Sequence, residues 1–104
     1  DNIEDVVYFN ELYDLYGDLL TDKQREYFEE YYFNNLSYAE MAEDFDVSRN
    51  AIFKQLHITT DKLEEYESKL GLLKKKKKRI LKLRLILKKR KQLKHQNKKQ
   101  KQHI

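Results

Sequence analysis

The 104 residues predict an all-α fold: a small helical bundle containing a helix-turn-helix, followed by a basic, partly helical C-terminal tail. Three observations predict it. Proline is absent and glycine occurs only at positions 17 and 71, so helix breakers are scarce. Apolar residues recur at spacings of three and four rather than alternating. Two capping boxes, "TDKQ" and "SYAE", mark helix starts.

The first helix is expected from about Ile3 to Leu20. Val6, Phe9, Tyr13, Tyr16 and Leu20 form one stripe, and Tyr8, Leu12, Leu15 and Leu19 form an adjacent one. Glu4, Glu11, Asp14 and Asp18 lie opposite. So wide an apolar arc suits a helix wedged between two others, or one that also buries a face in a dimer.

Thr21 and Gln24 cap a second helix reaching about Phe33, with Tyr27, Phe28, Tyr31 and Tyr32 as its apolar side and Asn34–Asn35 as its end. Ser37 and Glu40 cap a short third helix to about Phe45; Asp46 takes the turn and Val47 is expected to plug the core. Ser48 caps a fourth helix running to Leu70, with Gly71 as its stop. Ile52, Leu56, Leu63, Tyr66, Leu70 and Leu73 make its apolar stripe, interrupted by Thr59, and it is expected to pack back on the first helix. Beyond Lys74 the leucines and isoleucines spread around the circumference. Helix is expected to about residue 90, with residues 95–104 unstructured unless bound.

Charge divides the chain into an acidic body, residues 1–73, and a lysine-rich extension, residues 74–104. The body holds all 18 acids and six bases, a net −12; the extension holds 16 bases and no acid. Cysteine is absent, so neither a disulfide framework nor a thiolate metal site is available, which fits a reducing, cytoplasmic setting. No apolar run reaches the length of a transmembrane helix. No signal-peptide core opens the chain, and a first residue of Asp rather than Met suggests a trimmed N-terminus. There is no Gly-rich phosphate loop, and the paired acids Glu29–Glu30 and Glu64–Glu65 diverge by about 100° on a helix, so they cannot share a proton. His57, His95 and His103 have no companions at metal-ligand spacing. The sequence is therefore read as a non-enzyme without metal or cofactor.

With these elements placed, "LLTDKQREYFEEYYFNNLSYAEMAEDFDVSRNAIFKQL" followed by "LEEYESKLGLL" resembles the bacterial YlxM family of sigma-factor-like helix-turn-helix proteins. The likeness covers about Leu12 to Leu73, with "LTDKQR", "VSRNAIF" and "YESKL" as its most specific parts. It implies a fold like the C-terminal sigma-factor domain that reads the −35 promoter element. It also implies a regulatory role with the signal recognition particle. Sigma factors carry basic residues around the positions held here by Gln55, Ile58, Thr60 and Asp61. This chain keeps the scaffold and loses much of the phosphate-binding charge.

Two candidate surfaces follow. Within the helix-turn-helix, Leu36 to Leu56, the residues Ser48, Arg49, Asn50, Phe53, Lys54 and His57 would face DNA: Arg suits guanine, Asn suits adenine, and Ser48 and Lys54 suit phosphates. In the extension, Lys74, Lys75, Lys76, Lys77, Lys78, Arg79, Lys82, Arg84, Lys88, Lys89, Arg90 and Lys91 suit a polyanion. No aromatic interleaves them, so they grip by charge and shape, which favours folded RNA. The leading reading is a signal-recognition-particle accessory that contacts its RNA through the extension, with the particle's protein subunits as further partners and the body as scaffold and dimer platform. A DNA-binding transcription regulator is the second reading. An adaptor on anionic membrane surfaces is the third, since Lys, Arg, Leu and Ile without acids also suit lipid headgroups.

Overall fold

The computed structural model describes residues 2–102, with side chains through residue 96, and every regular element among them is helical. Helix α1 spans Ile3–Tyr16, and the Asn2 side-chain oxygen accepts the Asp5 N–H at 2.8 Å to cap it. The helix ends earlier than its apolar pattern predicts. Gly17–Leu19 tighten into a 3₁₀ turn and Leu20 is extended. After this turn the extended Leu20 is buried in the core, while Leu19 is exposed. Gly17 lies under the Tyr13 ring, where an added Cβ would stand 3.2 Å from Tyr13 Cε2.

Both capping boxes form. Thr21 and Gln24 exchange bonds of 3.0 and 3.1 Å at the start of α2, Asp22–Phe28, and Ser37 and Glu40 do the same, at 3.1 Å each, for α3, Tyr38–Phe45. The second helix does not continue as an α-helix to Phe33. Residues Glu29–Phe33 widen into a π-turn, closed by the Asn34 N–H donating to the Glu29 carbonyl at 3.0 Å. Its tyrosines serve two neighbours: Tyr32 stacks on Phe28 (4.4 Å) and Tyr31 on Tyr38 of α3 (5.1 Å). Asn35, at φ 58°, then reverses the chain.

After α3, Asp46 adopts φ 54° as the turn requires. Val47 does not plug the core: it is 38% exposed. Phe45 fills that space instead, its ring 4.5 Å from Tyr27, while the Val47 N–H closes α3 by donating to the Ala42 carbonyl. Helix α4, Arg49–Leu70, starts at the Ser48 cap and supplies both halves of the core. Ile52 and Leu56 join Tyr27 and Met41, and Leu63 joins Leu12, Tyr16, Leu20, Phe28 and Leu73. Packing of α4 back on α1 is thus observed. Thr59 is no gap in the stripe; it and Thr60 are buried, their hydroxyls donating to the carbonyls of Gln55 and Leu56 at 2.9 and 3.1 Å. Leu70, predicted on the stripe, is exposed.

Gly71, at φ 62°, ends α4 with its N–H bonded to the Glu67 carbonyl at 2.8 Å, and α5, Leu72–Gln102, begins at the next residue. That helix extends past the expected end near residue 90. Strong helix formers (Lys, Leu, Arg, Gln) without Gly or Pro carry it. Of the segment expected to be unstructured unless bound, the last two residues, His103 and Ile104, lie outside the described residues. The chain divides into two compact units, residues 1–73 and 74–104.

Candidate nucleic-acid interface

The helix-turn-helix forms from α3, the turn at Asp46–Ser48 and the first half of α4. Ser48 has extended backbone, and its Oγ accepts the Ala51 N–H at 3.1 Å, leaving the hydroxyl hydrogen available to an outside acceptor. Ile52 and Leu56 are buried and Ala51 half-buried, which leaves Arg49, Asn50, Phe53, Lys54 and His57 exposed on the outer face of α4.

These residues are not equally available. The His57 ring meets Phe53 edge-on at 4.4 Å, and Phe53 meets Tyr38 edge-on at 6.0 Å. The middle of the face is therefore a packed aromatic run, and Arg49, Asn50 and Lys54 are its outward polar groups. The helix N-terminus adds partial positive charge. Beside it, however, a hollow of about 590 Å³ is lined by Glu40, Glu43 and Asp46 together with Ser48 and Arg49. Three carboxylates outnumber one guanidinium there. Farther along α4, Asp61 and Glu64 occupy the same angular sector as His57, so the face changes sign towards its C-terminal half.

In α5, every predicted polyanion contact is exposed: Lys74 to Arg79, Lys82, Arg84, Lys88, Lys89, Arg90 and Lys91. At 100° per residue, Lys74, Lys78, Lys82 and Lys89 fall on one side, and Lys76, Arg79, Arg90 and Lys91 on roughly the other. Exposed Ile80, Leu81, Leu83, Leu85, Ile86 and Leu87 also ring the helix, so α5 has no single apolar face. Like charges four apart (Lys74–Lys78, Lys75–Arg79, Lys78–Lys82, Arg84–Lys88, Arg90–Lys94) each cost about 0.2–0.5 kcal/mol, which a bound polyanion would relieve.

The residues that anchor the first turn of α5 escaped sequence reasoning. Tyr16, fully buried, donates its hydroxyl to Glu67 Oε1 at 2.6 Å and accepts the Leu72 N–H at 3.0 Å. The same Glu67 oxygen accepts the Leu73 N–H at 3.0 Å. Together they satisfy two N–H groups that a helix start leaves without partners. Burial, and then the bond to Glu67, push the Tyr16 hydroxyl pKa above its ordinary 10.0. Nothing in the sequence separates Tyr16 from the other seven tyrosines, because the pairing spans 51 residues.

Among the described residues, no cluster of three His, Cys, Asp or Glu could hold a metal ion, and no helix is long and apolar enough to cross a membrane.

A family model described as "UPF0122: Putative helix-turn-helix protein, YlxM / p13 like" matches residues 3–104. A UPF0122 protein of Caldanaerobacter subterraneus subsp. tengcongensis is 51% identical over 72 residues, 69% of this chain and 62% of the relative. UPF0122 proteins of Bacillus thuringiensis and Bacillus mycoides are each 49% identical over 73 residues, 70% of this chain and 66% of the relative. The matched stretch thus spans a little under two thirds of each relative's length.

Proposed function

Since this chain belongs to the UPF0122 helix-turn-helix family, YlxM / p13 like, we propose that it is a non-enzymatic nucleic-acid-binding protein whose main polyanion contact is the lysine-rich helix α5. One observation carries this reading. The bases of α5 from Lys74 to Lys94 are exposed on all sides with no acid among them, whereas the start of the helix-turn-helix recognition helix sits beside three carboxylates. Phosphate neutralisation supplies most non-specific affinity for nucleic acid. A helix charged around its whole circumference makes no demand on base sequence and suits the irregular phosphate surface of folded RNA. The finer reading is a cytoplasmic accessory of a ribonucleoprotein. The signal recognition particle is the one the family resemblance implies, with its RNA on α5 and its protein subunits as further partners.

A specific observation favours a second reading, a DNA-binding regulator. The fold leaves Arg49, Asn50 and Lys54 outward on a helix of the right kind to enter a major groove. The membrane-surface alternative gains less support, since α5 offers no single apolar face to lie on lipid.

The test titrates the full chain with folded signal-recognition-particle RNA, duplex DNA and anionic vesicles across salt. If about half of the twelve bases face a bound polyanion, the log–log slope against salt is near −5. Replacing Lys74 to Arg79 by Gln is expected to halve that slope and weaken RNA binding about 10²–10³-fold at 0.1 M salt. Unchanged RNA affinity would refute the reading. Sequence-specific DNA binding that survives this change and is lost in Arg49→Ala/Asn50→Ala would establish the second.

A further inference from the structure

We propose that the acidic unit carries a docking cleft for a basic segment of a partner protein, receiving a lysine or arginine side chain against tyrosine rings. The cleft, about 290 Å³, has walls from Tyr31, Tyr32 and Tyr38, with Asp5, Asp61 and Glu64 exposed at its edges. Tyr31 and Tyr38 are stacked at 5.1 Å, and Tyr31 meets Tyr32 edge-on at 5.0 Å.

Two attractions converge there on one kind of ligand. A tyrosine face draws a cation held within about 6 Å of its centroid. This chain already makes such contacts elsewhere, with Lys23 over Tyr27 at 6.0 Å and Lys62 over Tyr66 at 5.9 Å. The three carboxylates add opposite charge, and no Lys or Arg lines the cleft. The −12 charge of residues 1–73 draws a basic segment and repels phosphate or acidic peptides. His57, at the end of the candidate DNA face, also lines the cleft, so the cleft begins where that face turns acidic at Asp61 and Glu64.

The choice of occupant rests on the function proposed above. With the chain's own lysine-rich helix engaged on a polyanion, the matching segment comes from another protein. A chain holding RNA by one unit and a basic protein segment by the other would join two components of one ribonucleoprotein.

The probe is a fluorescein-labelled hexa-arginine peptide, titrated by anisotropy into the full chain at low salt. The double variant Asp61→Lys/Glu64→Lys is compared with Glu43→Lys/Asp44→Lys, which makes the same charge change at exposed acids of α3 outside the cleft. About tenfold weaker binding in the first and less than about twofold in the second is expected. Tyr38→Leu, which keeps bulk and loses the ring face, is expected to weaken binding about fivefold with its helical circular dichroism retained at the temperature of the titration. Equal losses in both double variants would overturn the cleft, because the attraction would then be diffuse. Sedimentation without peptide tests the occupant: a dimer that Asp61→Lys/Glu64→Lys converts to monomer would overturn the foreign partner and assign the cleft to a second copy. Failure of the function proposed above reads out separately, as RNA affinity indifferent to Lys74–Arg79 while the hexa-arginine peptide still binds.

Discussion

Removing the Tyr16 hydroxyl tests how the last turn of α4 is joined to the first turn of α5. Tyr16→Phe keeps the ring and its packing, so no cavity term enters. The lost hydroxyl deletes one donor to the Glu67 carboxylate at 2.6 Å and one acceptor for the Leu72 N–H at 3.0 Å. A hydrogen bond to a charged group is worth about 1.5–3 kcal/mol. The second bond counts for less, because Leu72 is partly exposed and water can replace its acceptor. The expected cost is about 2–3 kcal/mol, read as the shift in a urea melt followed by helical circular dichroism. Glu67→Gln keeps an acceptor for Leu73 but loses the charge, and should cost about 1 kcal/mol. The two changes share one bond, so the double variant should cost less than their sum by more than about 0.5 kcal/mol. A Tyr16→Phe chain within about 0.5 kcal/mol of the parent, or strict additivity in the cycle, would refute the anchoring role.

Alkaline pH gives a further expectation. Tyr13, Tyr31 and Tyr32 have folded-state values raised to about 12 from 10.0, by burial first in each case and for Tyr13 also by its bond to Glu29. A raised folded value means stability is fully present below about pH 10 and is lost as pH climbs towards 12. Melts across that window should fall together with the appearance of tyrosinate absorbance, and a flat profile would contradict it. A last expectation concerns the symmetry of α5. Replacing Lys74, Lys78, Lys82 and Lys89 by Gln should weaken RNA binding by the same factor as replacing Lys76, Arg79, Arg90 and Lys91, within about threefold, since the two sets occupy opposed sides. Loss confined to one set, measured by filter binding at fixed salt, would mean a one-sided site.

Where the sequence succeeded, the signal was local. Thr21–Gln24 and Ser37–Glu40 are capping boxes because each needs only a span of three residues, and both form. Asp46 and Gly71 mark chain reversals because their left-handed backbone is a property of the residue and its immediate neighbours. The exposure of Arg49, Asn50, Lys54 and the bases from Lys74 to Lys91 was legible for the same reason, since it follows from helical period and residue type. Val47 was misplaced because which of two nearby apolar groups enters the core depends on the partner, and Tyr27 admits Phe45. The earlier end of α1, the π-turn at Glu29–Phe33 and the burial of Thr59 were not legible either, because apolar periodicity does not distinguish an α-turn from a 3₁₀ or π-turn and reads a threonine as a gap.

The sequence by itself determined the helical class, the positions of the caps and turns, and the separation of charge at Leu73/Lys74, all from composition and short-range chemistry. Only the tertiary structure decided that Tyr16 and Glu67 close the start of α5, and that Tyr31, Tyr32 and Tyr38 meet Asp61 and Glu64 around one cleft. The physical reason is that side chains far apart in the chain share a site only once burial has brought their helices together, and no periodicity within one helix records which partner it will meet.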